Sequence, residues 1–193
     1  MTENDYINGL KKGDQNTFRK FVDDYQVPLL KLCNGFLHNR EEAEDIVQEV
    51  FIEVFQSIGT FKGNSLISTW LYRIAINKSL NQIRKNKNRK FMASLDTMLM
   101  GRKKTRINEI GDQSEISDKN IEHDELAEAI RTAVDSLSNN QRIAFVMNKY
   151  QDMSYKEIAE VMDISLTAVE SLIHRARLNL QKKLYKTYKN NLQ

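Results

Sequence analysis

Apolar residues along this chain recur at helical steps, and no stretch alternates apolar with polar as a half-buried strand would, so the pattern predicts helices throughout. From Asp14 to Leu37 the stripe is Phe18, Phe21, Val22, Tyr25, Leu29, Leu32 and Cys33. Asn39 opens a second predicted helix as its cap, with Glu42 three residues on. Its apolar face is Ala43, Ile46, Val47, Val50, Phe51, Val54, Phe55 and Ile58, and its other face is Glu41, Glu44, Asp45, Gln48, Glu49 and Glu53. A loop, TFKGNS at 60–65, separates it from a third helix that starts near Leu66. That helix carries Trp70, Leu71, Ile74, Ala75 and Leu80 into a basic tail, IRKNKNRK.

Periodicity fades over 91–120, which is polar and contains Gly101 and Gly111. It reads as a linker with a short helix at Phe91 to Met100. It returns at 122–188, where one helix carries Leu126, Ile130, Val134 and Leu137. Another starts near Ser138 with Ile143, Phe145, Val146 and Tyr150. The stretch SYKEIAEVMDISLTAVESLIHRAR, residues 154–177, completes this unit. Ser154 and Glu157 have the spacing of a capping box. Ser165 suits the N-cap of the following helix, and the gap between the two helices is as short as a helix-turn-helix needs. Ile158, Ala159, Met162, Val169, Leu172, Ile173 and Ala176 would pack the pair together. The expected fold is all-α: two small helical domains, 1–90 and 122–193, joined by a flexible charged linker at 91–121, the C-terminal one a helix-turn-helix.

Composition agrees with a helical protein: 193 residues, one proline, seven glycines and 28% charged residues. No apolar run approaches the roughly 20 residues that span a bilayer, and MTENDYINGL is not a signal peptide. A cytoplasmic location is the expectation. Cys33 stands alone, so no internal disulfide can form, and its apolar neighbours suggest a buried structural thiol. The net charge is only +3, but it is unevenly placed. Arg84 to Arg106 holds nine basic residues against Asp96 alone. Glu109 to Glu128 holds eight acids against Lys119, and Arg175 to Lys189 holds six basic residues and no acid. Two basic blocks, each closing a patterned helical unit, suggest two surfaces that face polyanions.

Signatures of catalysis are missing. There is no Walker loop, dinucleotide turn, nucleophile elbow or His-Glu-x-x-His, and His38, His123 and His174 are dispersed. The reading is of a binding protein, not an enzyme, with no cofactor and no metal site.

Four stretches, in order, resemble the bacterial RNA polymerase sigma factors of the extracytoplasmic-function (ECF) type: KKGDQNTFRKFVDDYQ, AEDIVQEVFIEVF, FKGNSLISTWLYRIAINKSLNQIRK and LSNNQRIAFVMNKYQDMSYKEIAEVMDISLTAVESLIHRARLNL. The resemblance covers about residues 8–90 and 122–186. It implies a transcription initiation factor that binds core RNA polymerase, directs it to specific promoters and helps open them. Region 2 of the family would occupy 1–90 and region 4 would occupy 122–193.

The resemblance also implies roles. Asp45, Gln48 and Glu49 match positions that dock on the clamp helices of the polymerase's largest subunit. Their spacing puts them on one helix face, suited to a basic partner. Phe51 and Phe55 match less regular contact positions, and their pattern favours the core. Lys62, Gly63, Asn64 and Ser65 match the loop that captures a base flipped from the minus-ten element, and Asn77 and Asn81 match readers on the following helix. Many relatives have Asp where Asn81 stands. Trp70 is either a stacking wedge or a core residue. Arg73, Lys78 and Arg84, with Lys85 and Lys87, would hold phosphates, which gives affinity with little specificity.

In the helix-turn-helix, Thr167, Ala168, Glu170, Ser171, His174, Arg175 and Arg177 match the outer face that reads the minus-thirty-five element. The family often has basic residues where Glu170 and Leu172 stand. Glu170 either accepts from a cytosine amino group or deters wrong sequences. Implied partners are promoter DNA, core polymerase (including the flap of its second-largest subunit) and an anti-sigma factor anchored in the membrane. The competing readings are an ordinary helix-turn-helix regulator and an adaptor that binds polymerase without DNA. The first lacks a dimerisation helix or ligand pocket, and the basic blocks speak against the second.

Overall fold

The computed structural model describes the backbone of residues 1–99 and 118–191, and the side chains of 1–95, 125–186 and 189. Among these residues the chain is all helix, in the order α1 (Glu3–Lys11), α2 (Gln15–Leu37), α3 (Arg40–Ser57), α4 (Ile67–Leu99), α5 (Asp118–Asp135), α6 (Asn139–Tyr150), α7 (Tyr155–Met162) and α8 (Leu166–Asn191). A single 3-10 turn, Ile58–Thr60, closes α3.

Local chemistry explains the boundaries. Thr2 and Asp5 form a capping box at α1, and Asp14 caps α2 through the Thr17 amide. Asn39 caps α3 by accepting from the Glu42 amide at 3.0 Å. Glu42 does not complete a box. Its carboxylate accepts instead from the Asn86 side-chain amide at 2.9 and 3.1 Å, which ties α3 to α4. Ser154 and Glu157 do form the box expected at α7. The two hydrogen bonds from Ser154 hold the Glu157 carboxyl below its usual range. Replacing Ser154 with alanine should cost about 1 kcal/mol of stability, read from the chemical-denaturation midpoint of the full chain.

The α1–α4 half buries the stripes read from sequence. Phe21, Leu29, Leu32, Cys33 and Phe36 of α2 meet Ala43, Val50, Phe51 and Val54 of α3 and Ile67, Leu71 and Ala75 of α4. Cys33 is fully buried, and burial pushes its thiol up to about 11, as suits an inert structural thiol.

The second half packs directly on the first, and the two share one core. Ile143, Val146, Met147, Ile158, Val161, Val169 and Ile173 are continuous with the apolar residues of α2–α4. Gly35 permits this approach. A Cβ there would lie 2.9 Å from Val146 Cγ1 and 3.2 Å from the Tyr150 ring. Arg142, nearly fully buried, donates to the Phe36 carbonyl at the end of α2 and pairs with Asp135 at 2.5 Å, and Asp135 also faces His38 at 3.5 Å. Burial raises the Asp135 carboxyl, but these two neighbours outweigh it and hold it below its usual range. A smaller cluster, Ala133, Val134, Leu137, Ala176 and Leu180, binds α5 to α8.

Several expectations need correction. Residues 91–99 do not leave the helix but continue α4, and 118–121 already belong to α5. Alanine, methionine, arginine and lysine are good helix formers, and a helix can propagate into solvent without an apolar stripe of its own. Residues 100–117 of the expected linker lie outside the described residues. Leu126 and Ile130, read as core, are exposed, and α5 packs on α8 further along, through Ala133 and Val134. The helix α1 was not expected at all.

Candidate polymerase and promoter interface

On α3 the period of 3.6 divides the helix cleanly. Ala43, Ile46, Val47, Val50, Phe51 and Val54 are buried, and Asp45, Gln48 and Glu49 are exposed on the opposite side. Phe51 belongs to the core, as read. Phe55 does not: it is 56% exposed, with one edge against the Phe18 ring (centroids 5.4 Å apart), and Ile52 beside it is exposed to the same degree. Gln48, Ile52 and Phe55 fall one turn apart, so the acidic face carries an apolar edge.

Lys78 of α4 reaches this face. Its ammonium lies 3.1 Å from Glu49 and 3.0 Å from Glu53. Burial lowers its pKa, but the two carboxylates outweigh burial and raise it. Lys78 is therefore engaged away from the rest of the α4 stripe.

That stripe comprises Trp70, Arg73, Asn77, Asn81 and Arg84, at steps of three and four along one side of α4. Asn77, Asn81 and Arg84 are exposed. Trp70 is half-buried and packs on the buried Phe61 ring, with centroids 5.1 Å apart. It thus joins the core to the loop. Between Phe61 and Ile67, both buried, the loop exposes Lys62, Gly63 and Asn64, with Ser65 half-buried. Gly63 has φ 73°, a left-handed conformation that side-chain-bearing residues rarely adopt.

Arg73 is held. Its guanidinium donates to the Glu160 carbonyl at 2.7 Å and the Val161 carbonyl at 2.8 Å, in the last turn of α7 where carbonyls lack helical partners. A cleft of about 350 Å³ lies here, lined by Arg73, Ile76 and Asn77 on one side and Asn140, Ile143, Val161, Met162 and Asp163 on the other. In this arrangement of the two halves, the upper part of the α4 stripe faces the helix-turn-helix.

The pair α7 and α8 turns at Asp163, which is left-handed at φ 56°. Ser165 begins α8 by accepting from the Ala168 amide at 3.2 Å and lies 3.0 Å from the Thr167 hydroxyl. Val169, Ile173, Ala176 and Leu180 point inward. Thr167, Glu170, His174, Arg175 and Arg177 are exposed, and Ala168 and Ser171 are half-buried at the edge. The outer face of α8 thus offers a carboxylate near its start and guanidinium groups further along, a layout suited to a DNA groove.

Two residues important to this arrangement escaped the sequence: Arg142, whose partners are distant in the chain, and Lys11, which donates to the Phe61 carbonyl at the head of the loop. Neither carries a sequence signal, since a lone cation shows no pattern. Among the described residues no helix is long and apolar enough to cross a membrane, and no group of three or more His, Cys, Asp or Glu side chains converges as a metal site would need.

Comparison with known proteins agrees with these features. Residues 21–89 match the model of sigma-70 region 2, and residues 127–180 match sigma-70 region 4. The ECF RNA polymerase sigma factor SigW of Bacillus subtilis is 35% identical over 92% of this chain and 94% of its own length. The ECF RNA polymerase sigma-E factor of Escherichia coli K12 is 29% identical over 95% of both chains. Among solved structures, CnrH in complex with the cytosolic domain of CnrY shares the fold, with a TM-score of 0.65 and 22% identity over 94% of this chain and 96% of that one. RpoE of Bartonella quintana in complex with the anti-sigma factor NepR does so with a TM-score of 0.55 and 22% identity over 86% and 98%. This chain belongs to the ECF sigma factors of RNA polymerase, the factors that direct transcription initiation to specific promoters.

Proposed function

We propose that three exposed sets on separate elements divide the work of initiation. The face of α3 with Asp45, Gln48 and Glu49 meets the clamp helices of core polymerase, with Phe55 and Ile52 supplying an apolar edge. The loop Lys62–Ser65, with Asn77 and Asn81 of α4, captures and reads the non-template strand of the minus-ten element, and Arg84 holds its backbone. The start of α8 reads the minus-thirty-five element, and the flap of the second-largest subunit is a further docking site for this half. The chain has no reaction of its own in this reading and works in the cytoplasm, beside the chromosome.

The observation that carries the reading is the loop. Its three central residues are exposed between two buried anchors, with a left-handed glycine that lets backbone approach a base closely. Photo-crosslinking tests it. A crosslinker at Asn64 or Asn77 should attach to the non-template strand of an open complex, whereas attachment to the template strand, or to neither, would contradict the assignment.

Lys78 is assigned to the polymerase face, because two carboxylates already compete for it. Changing Lys78 to alanine should strengthen core binding a few-fold by freeing Glu49 for its basic partner, and leave the salt dependence of promoter binding unchanged. A phosphate contact would instead lower that slope by about one.

The contact of Arg73 with α7 supports an off-state in which the helix-turn-helix covers part of the α4 stripe. An anti-sigma factor, anchored in the membrane, is the proposed partner that holds the two halves this way. Of the two similar structures, RpoE is bound to the anti-sigma factor NepR, and CnrH is bound to the cytosolic domain of CnrY.

A further inference from the structure

Helix α1 has no part in the roles assigned so far. It sits on α2 through Tyr6 and Leu10, both buried. The Tyr6 ring stands edge-on to Phe21 at 5.4 Å and to Tyr25 at 6.3 Å, and its hydroxyl donates to Asp24. Seated there, α1 touches both ends of the loop between α3 and α4. Near its C-terminus, Lys11 Nζ donates to the carbonyl oxygen of Phe61 at 2.9 Å, where the loop begins. At its N-terminus, Glu3 Oε1 accepts from the backbone N–H of Ile67, where α4 begins.

The second contact is unusual in origin. The first amides of a helix need acceptors, and a residue just before the helix normally supplies one. Here Ser65 Oγ faces the Leu66 carbonyl at 3.3 Å instead. The Ile67 amide takes its acceptor from a residue 64 positions earlier in sequence. A carboxylate there also suits the positive end of the α4 dipole. Between these two anchors lie Lys62, Gly63 and Asn64, exposed and free to meet a ligand.

We infer that α1 is a positioning element for strand capture: Lys11 and Glu3 fix the two ends of the 61–67 loop, so that Lys62–Asn64 meets the flipped base already shaped. The inference rests on the base-capture role of this loop. A loop ordered in advance loses less conformational freedom when it closes on a base, so more of the contact energy appears as affinity. Lys11 and Glu3 touch no DNA in this account and act through the loop backbone.

The test uses core polymerase loaded with full-length variants. The probe is a labelled single-stranded oligonucleotide carrying the minus-ten sequence that the wild-type holoenzyme selects from a randomised pool. The double variant Glu3→Ala, Lys11→Ala should bind this strand about tenfold more weakly, as expected when two charge-assisted hydrogen bonds are lost. Its affinity for core polymerase should be unchanged. Glu3→Gln keeps an acceptor oxygen and Lys11→Arg keeps a donor, so both should stay close to wild type. If the double variant folds poorly, Lys11→Ala alone, a change at an exposed side chain, should still weaken strand binding several-fold. Wild-type strand affinity in these variants, alongside a clear loss for Asn64→Ala, would overturn the role of α1 and leave the loop assignment standing. No loss for Asn64→Ala would overturn both. Equal losses of strand and core binding in the double variant would show general damage to this half and also overturn the inference.

Discussion

Replacing Asp45, Gln48 and Glu49 together with alanine will weaken binding to core RNA polymerase by roughly one to two orders of magnitude, the scale expected when several contacts at the centre of an interface are truncated at once. The three side chains are exposed and project from a helix whose opposite face is fully buried, so the fold does not depend on them. Only Glu49 has an ion-pair partner here, Lys78, which Glu53 retains after the substitution. Each change should therefore cost under about 0.5 kcal/mol of stability. Titration of labelled core polymerase, beside a thermal melt, checks both halves of the claim. Wild-type affinity in a folded triple variant would remove α3 as the docking helix.

The second large effect separates reading from holding in α8. Glu170 lies one turn into the helix and Arg175 more than a turn further on, both exposed. Changing Glu170 to glutamine or alanine should shift discrimination at one base pair of the upstream element by roughly 1–3 kcal/mol. Changing Arg175 to alanine should weaken binding about equally on all sequences and lower the salt slope by about one. Neither change should affect opening of a pre-melted promoter, because strand capture belongs to the other half. Selection of promoters from a randomised upstream element reads this out. An unchanged preference for the Glu170 variants beside a changed one for Arg175→Ala would exchange the two roles.

Much of this was legible in the chain because helices of this length announce their buried face. The α3 stripe and the Ser154–Glu157 box at α7 were visible as spacings, and the structure realises both. Phe55 shows the limit of periodicity. A residue at the edge of a stripe meets the pattern whether it packs or only leans on one neighbour, and here it leans on Phe18. Helix α1 was missed because nine residues with two buried anchors make a weak stripe, although the Thr2–Asp5 spacing was a usable sign. The ends of the expected linker were misread for the opposite reason: α4 outlives its apolar stripe. The contact between the two halves was not legible at all. In sequence Arg73 reads as a phosphate contact and Arg142 as a lone cation, and their acceptors, backbone carbonyls of α7 and α2, have no side-chain signature. The roles proposed for loop and α8 residues came from the family resemblance, and the structure adds where each side chain stands.

The central claim is that this chain confers promoter choice on RNA polymerase. Run-off transcription measures it most directly. Core polymerase is mixed with the purified chain on a template bearing a promoter selected by that holoenzyme, and on the same template with its minus-ten and minus-thirty-five elements scrambled. The account predicts a discrete transcript only when chain, core polymerase and intact promoter are all present, and its loss with the Asp45, Gln48, Glu49 triple variant. A transcript of equal strength without the chain, or with both elements scrambled, would contradict it.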